Sequence, residues 1–335
     1  MEFDKIATLF KEKGFLEASC TSLNKSISFE SYKAQIWNEN FGGMNFLKDH
    51  IPKKDPSSQE YPTALIALHP YYPPNNELKS HLRVSVYAQE KDYHKKINAK
   101  LKLITDELQK LHPKNNFTFS VDSAPVLERD LAYRAGLGWV GKNTCLISKD
   151  NGSLFYIAEI LTDLTFSKKN TLQSDHCGTC TRCIDACPTG ALTPRKLEVD
   201  KCISYRNIED RDTSAKTLDK KLDSWFFGCD ICQTVCPWNE KSHGKEEMIS
   251  LSQPYTVTPE AISELKEILS KSNKQLDKDY KEFPLERARG AGLKRNALKI
   301  IHEHRLSELK DFLKSLNLSD KLQDLKEVVI NSLCA

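Results

Sequence analysis

Cys177-Gly-Thr-Cys180-Thr-Arg-Cys183-Ile-Asp-Ala-Cys187-Pro188 decides how this chain is read. Three cysteines separated by two residues each bring three thiolates onto one tight loop. The three-residue step to Cys187 sends a fourth away from that loop, and Pro188 suits the first turn of a helix, which needs no amide donor. A second run, Cys229-Asp-Ile-Cys232-Gln-Thr-Val-Cys236-Pro237, ends in the same phrase. It holds only three close cysteines, and Cys202 is the one candidate inside the region for its missing member. Eight of the eleven cysteines lie between Cys177 and Cys236.

The first run has the spacing of bacterial ferredoxins, in which three cysteines hold one 4Fe–4S cluster and the fourth reaches across to the other. Pseudo-twofold pairing then uses all eight. Cluster one takes Cys177, Cys180, Cys183 and Cys236; cluster two takes Cys187, Cys202, Cys229 and Cys232. Structural zinc knuckles are the competing reading. Zinc requires neither the two-two-three-proline phrase nor its near-repetition. Cys20, Cys145 and Cys334 read as isolated buried or free thiols.

The flanks show that this is more than an electron carrier. The chain has 335 residues, enough for two or three modest domains. Its net charge is only +3, so any nucleic-acid affinity must come from a local basic patch. It has no membrane-length apolar run, and its charged start, Phe3-Asp4-Lys5, does not read as a signal peptide. A cytoplasmic, reducing location is expected, and metal ligation rather than disulfide bonding explains the cysteines.

Residues 1–170 alternate between helix and strand patterns, the sign of an α/β domain with helices on a sheet. Ile6, Leu9 and Phe10 have helical spacing closed by Gly14, and Ser31 to Trp37 is amphipathic. Ala64 to Leu68 reads as a buried central strand, Tyr87 to Leu111 as a long helix, and Phe117 to Val121 as a strand ending at Asp122. Leu131, Ala132 and Ala135 belong to a helix stopped by Gly136; Cys145 to Ile147 and Leu154 to Leu161 read as further strands. Residues 171–245 form the two-cluster domain, with Lys241 to Lys245 as a polar linker. Residues 246–335 are helical, opening at Thr258-Pro259-Glu260 with Ile262, Leu265, Ile268 and Leu269 on one face.

Asp122-Ser-Ala-Pro-Val-Leu-Glu-Arg129, Arg134-Ala-Gly-Leu-Gly-Trp-Val-Gly-Lys-Asn143, Gly152-Ser153 and the paired cysteine runs, in this order, closely resemble the epoxyqueuosine reductase family. Phe41-Gly-Gly-Met-Asn-Phe46-Leu47 and Asp92-Tyr93-His94 fit the same pattern over about residues 1–300. The resemblance implies an α/β cobalamin-binding catalytic domain, a ferredoxin-like domain with two 4Fe–4S clusters, and a helical C-terminal region. It also implies the last step of queuosine synthesis, reduction of an epoxide on the wobble base of tRNA. The family's catalytic core is related to that of reductive dehalogenases.

Residue by residue, the family's proton-donating aspartate falls on Asp122, with Asp130 the nearby competitor. Corrin contacts fall on Asp122, Leu146, Ile157 and Ser204. His69 and His94 are not read as cobalt ligands, because the family resembles base-off cobalamin without a protein ligand. The basic segment Arg287, Arg289, Lys294, Arg295 and Lys299 is expected to contact tRNA phosphates. About 90 residues follow Lys245, too few for the extended helical repeats of some members. The expected enzyme is a monomer drawing electrons from a flavodoxin or ferredoxin system. A carboxyl with an ordinary pKa near ~4 is ionised at neutral pH, so a desolvating wall, formed by Leu146 and Trp139, is expected beside Asp122. A ferredoxin-like carrier and a cobalamin-dependent dehalogenase are the alternatives. The first needs no cobalamin, and the second has no need of the basic segment.

Overall fold

The computed structural model describes residues 3–167 and 170–333; Cys334 lies outside them. Four antiparallel strands form the main sheet, in the spatial order β1 (Glu17–Ser22), β2 (Thr63–Pro70), β4 (Phe155–Thr162), β3 (Phe117–Val121). β2 is central because both of its faces are apolar. Leu65 and Ala67 meet Ile97, Leu101 and Ile104 of the helix Tyr93–Leu111, along with Phe10 from the first helix. Ala64, Ile66 and Leu68 meet Leu131, Ala132 and Leu146 on the other side. Helices thus cover both faces, as the alternating pattern requires.

Several local readings are matched closely. β3 spans the expected five residues. The helix Pro259–Ser270 is capped by the Thr258 side chain, which accepts from the Ala261 amide. Gly14 and Gly136 take positive φ where their helices end. Others differ. The long helix begins at Tyr93 rather than Tyr87, because Asp92 caps the His94 amide. The polar run Lys241–Lys245 is mostly helical: Pro237–His243 and Lys245–Ser252 meet at Gly244 (φ 96°). Pro237 opens a helix as expected, whereas Pro188 opens a turn closed by Gly190 (φ 59°).

The C-terminal helices share one core with residues from both earlier segments. Leu82, Val84 and Ala88 join Leu222, Phe226 and Phe227 against Leu265, Ile268, Ala297 and Ile301. A short parallel pairing of Arg83–Val84 with Trp225–Phe227 makes this junction. No helix among the described residues is long and apolar enough to cross a membrane.

Candidate active site and cysteine centres

The eight clustered cysteines separate into two groups. Cys177, Cys180, Cys183 and Cys236 line one cavity of about 350 Å³, together with Lys142, Asn143 and Trp238. Burial pushes the Cys183 thiol up to about 11, followed by the negative potential of Cys236, Cys177 and Cys180. Cys202 lies beside Cys187, and Cys229 and Cys232 both lie within electrostatic reach of Cys202. The two groups are the crossed sets of the sequence reading. Among the described residues, no three His, Cys, Asp or Glu side chains converge on a single-ion site. The first group instead lines a space larger than one ion.

Local backbone geometry prepares these sulfurs for negative charge. The Thr189, Ala191 and Leu192 amides and the Thr189 hydroxyl donate to Cys187; they outweigh its burial and hold its thiol below the usual range. The Ser204 and Tyr205 amides donate to Cys202, although burial keeps that thiol raised. Lys142 Nζ donates to the Gly178 and Cys180 carbonyls at 2.7 and 2.9 Å, and Asn143 Nδ2 to the Cys232 carbonyl at 3.2 Å. This pair fastens the cysteine loops to the α/β part. The sequence showed the pair in a family motif but not its task. Cys145 is not isolated, since its thiol hydrogen-bonds with Cys232. Cys20 is buried in the sheet core.

Asp122 follows directly on β3, with φ at +52°. Its carboxylate accepts a hydrogen bond from Tyr93 Oη at 2.7 Å. Tyr93 stacks on Tyr156 at 4.1 Å, and Tyr156 in turn meets Tyr71 at 4.9 Å. Burial pushes the Tyr87 and Tyr156 hydroxyls far up; both also feel Asp122 and Asp230, the latter being the neighbour of Cys229. Tyr87 and Tyr156 thus lie within electrostatic reach of both Asp122 and Asp230. Arg287 closes another side: it feels Asp122, binds Glu209 at 2.6 Å and lies 5.5 Å over the Phe46 ring.

Asp130, the competing acid, is fully engaged. It accepts from the Ile27 and Ser28 amides at 2.8 Å and pairs with Arg134 at 2.7 Å, all in a buried setting. The desolvating wall expected around Asp122 is absent. Asp122 is exposed because it lies beyond the end of β3. Trp139 packs elsewhere, against Trp238, His176 and Cys236, and Leu146 is a core residue.

The residues connected with a corrin divide accordingly. Ile157 is half-buried, beside the Val121–Ala158 pair that precedes Asp122. Ser204 is half-buried behind Cys202. Leu146 is buried and has only backbone to offer. A corrin brings its own nitrogen ligands and needs no side-chain metal ligand from these residues, whose apolar, hydroxyl and backbone groups are compatible with packing against it. His69 and His94 already have partners: Lys100 Nζ at 2.8 Å and Asp92 at 2.7 Å.

The basic segment requires a correction. Arg295 is 1% exposed and Lys299 2%. Arg295 donates to the carbonyls of Asp210, Asp212 and Arg206, and Lys299 to those of Thr217 and Lys220. Lys294 is also buried, at 7% exposed. These three side chains do not form a phosphate-binding face. Arg295 is drawn inward by carbonyls that include Arg206, in the last turn of the helix Ile203–Ile208, whose terminal acceptors attract cations. Arg287 and Arg289 remain exposed; among the described residues they pair with the half-buried Glu209 and with Glu286.

Residues 176–239 match the family model described as a 4Fe-4S double cluster binding domain, and residues 57–123 match that of epoxyqueuosine reductase QueG, DUF1730. The chain is 40% identical over 274 residues to an epoxyqueuosine reductase of Leadbetterella byssophila, covering 80% of this chain and 88% of that one. In fold it is similar to an epoxyqueuosine reductase crystallised with an epoxyqueuosine-modified tRNA-Tyr stem loop, with a TM-score of 0.75 and 22% identity over 99% of this chain and 98% of that one. It is similar also to a Bacillus subtilis epoxyqueuosine reductase whose catalytic aspartate loop is swung out of the active site, with a TM-score of 0.75 and 22% identity over 98% and 90% of the two chains. The extent of these matches, on a chain that carries the double-cluster domain, places it among the oxidoreductases: it belongs to the epoxyqueuosine reductase family.

Proposed function

We propose that this chain reduces epoxyqueuosine to queuosine at the wobble position of tRNA, with Asp122 as the proton donor. Converting an epoxide to an alkene takes two electrons and two protons and releases the oxygen as water. One observation carries the assignment of the acid. Asp122 is exposed and held by Tyr93, whereas Asp130 is buried and saturated with donors.

Cys177, Cys180, Cys183 and Cys236 would hold one 4Fe–4S cluster, and Cys187, Cys202, Cys229 and Cys232 the other. Cobalamin would rest against Ile157, Ser204 and the Leu146 backbone, with Asp122 facing its substrate side. When bound, these groups supply electrons one at a time and a low-potential cobalt centre.

The chain's own part is to place acid and substrate. Tyr93 donates to one carboxyl oxygen of Asp122, leaving the other to deliver a proton to the departing epoxide oxygen. The wobble base must leave its stack to reach Asp122, a usual mode of RNA recognition. Arg287, which feels Asp122, and the exposed Arg289 serve as tRNA contacts. An external donor of flavodoxin or ferredoxin type supplies the electrons, and the enzyme acts in the cytoplasm as a monomer. Mass spectrometry of tRNA from a deletion strain tests this reading. Accumulated epoxyqueuosine supports it, and normal queuosine with no epoxide would refute it. Cobalamin binding by the purified apoprotein distinguishes this enzyme from a plain electron carrier.

A further inference from the structure

The loop that carries Asp122 is fastened at both ends by ionisable side chains from outside it. Lys54 Nζ donates to the Val126 carbonyl at 2.6 Å. The Asp122 amide donates to the carboxyl of Glu128. Between these ends, Ser123 and Pro125 are exposed, Val126 inserts its side chain into the core, and the small Ala124 packs against that core. Asp122 itself has φ +52°, in the left-handed region that is unfavourable for a non-glycine residue. A loop with so few apolar contacts and one unfavourable backbone angle needs specific bonds to keep a single conformation.

The floor beneath it is unusual. Glu159, 0% exposed on β4, accepts from Ser120 Oγ through one oxygen, while its other oxygen is buried without a partner. Glu128, Asp122 and Lys54 all lie within electrostatic reach of Glu159, and Arg129 faces Glu128. Lys54 is itself desolvated, which lowers its proton affinity, with Glu128, Asp122 and Glu159 opposing that shift. A buried ammonium is kept only where a carbonyl or carboxyl compensates it. Here the compensating groups are the loop's own carbonyl and the acids around it.

We propose that Glu128 and Lys54 are positioning residues that latch the 122–127 loop, so that the Asp122 carboxyl stays against Tyr93. Glu159 and Ser120 form the floor on which the latch closes. The inference rests on Asp122 being the acid, but the latch can be read without turnover.

The test combines hydrogen exchange of the reconstituted holoenzyme, read on the peptide spanning residues 117–128, with single-turnover reduction of epoxyqueuosine-tRNA. Glu128→Ala and Lys54→Met should each speed exchange in this peptide and lower the single-turnover rate by about tenfold, the worth of one hydrogen bond. Iron content and tRNA KM should hold, which separates the latch from a folding defect. Glu128→Gln keeps an acceptor oxygen for the Asp122 amide and should restore protection and most of the lost rate. Unchanged exchange in both Glu128→Ala and Lys54→Met would overturn the proposal. So would a Glu128→Gln enzyme as slow as Glu128→Ala with its loop still protected, since that pattern indicates proton transfer by Glu128. If the wild type fails to reduce the epoxide, the functional reading falls while the exchange data still judge the latch.

Discussion

Tyr93 Oη lies 2.7 Å from Asp122 Oδ2, so the first residue of the long helix holds the carboxylate that follows the third sheet strand. The bond spans 29 positions of sequence and joins two motifs that carry no local sign of touching. Tyr93→Phe keeps the stack on Tyr156 and removes only the donor. A lost hydrogen bond is worth about 0.5–1.5 kcal/mol, so the single-turnover rate should fall by about two- to tenfold. KM for tRNA and iron content should not move. Equal loss in KM and rate would show that Tyr93 serves substrate binding instead.

The crossed cysteine sets make a spectroscopic prediction. Cys187→Ser should damage the cluster held with Cys202, Cys229 and Cys232, while the one lined by Cys177, Cys180, Cys183 and Cys236 remains visible in the electron paramagnetic resonance of the reduced protein. Loss of the latter signal instead would reverse the assignment. Anaerobically reconstituted protein should hold close to eight irons, the content of two 4Fe–4S clusters.

Glu128 gives a pH dependence of stability. Its carboxyl is pushed from an ordinary 4.5 up to about 8, first by burial and then by Asp122, against the opposing pull of Lys54. The folded protein therefore keeps a proton that the unfolded chain gives up. Stability from this group is fully present below about 4.5 and is lost as pH rises through about 8. Anaerobic thermal unfolding between about pH 6.5 and 8.5 should show Tm falling in the wild type, with a shallower slope in Glu128→Gln. Equal slopes would remove Glu128 from the account.

The two halves of the basic segment should behave differently. Arg287→Glu with Arg289→Glu should weaken tRNA binding and flatten its salt dependence by about one counterion per lost phosphate contact. Arg295→Glu should instead lower Tm sharply, because it places an acid against three carbonyls that now receive a guanidinium. Affinity measurements over a range of salt, together with Tm, separate the two outcomes.

This contrast shows where sequence reading works and where it stops. Cysteine spacing is legible because a cluster's ligands are set by short loops, and even the crossing of Cys187 and Cys236 follows from the spacing. The Thr258 cap and the strand Phe117–Val121 are legible for the same local reason. Arg295 and Lys299 were read as an outward basic face, yet their acceptors are backbone carbonyls some 79 to 89 residues earlier. Carbonyls carry no residue-type signal, so no pattern announces them. Glu128 and Lys54 were invisible in a similar way. Glu128 lies inside a recognised motif without a role, and Lys54 lies within the polar stretch Lys53-Lys54-Asp55.

Asp122→Asn tests the central claim most directly. Asparagine keeps the shape and a hydrogen-bonding oxygen for Tyr93 but cannot hand over a carboxylic proton. With enzyme reduced beforehand, single-turnover conversion of epoxyqueuosine-tRNA should fall by ~10²–10⁴, the usual consequence of removing a general acid, with both clusters, cobalamin and tRNA affinity retained. Asp130→Asn should lose thermal stability and keep its rate. An active Asp122→Asn enzyme, whether Asp130→Asn is dead or equally active, would contradict the account.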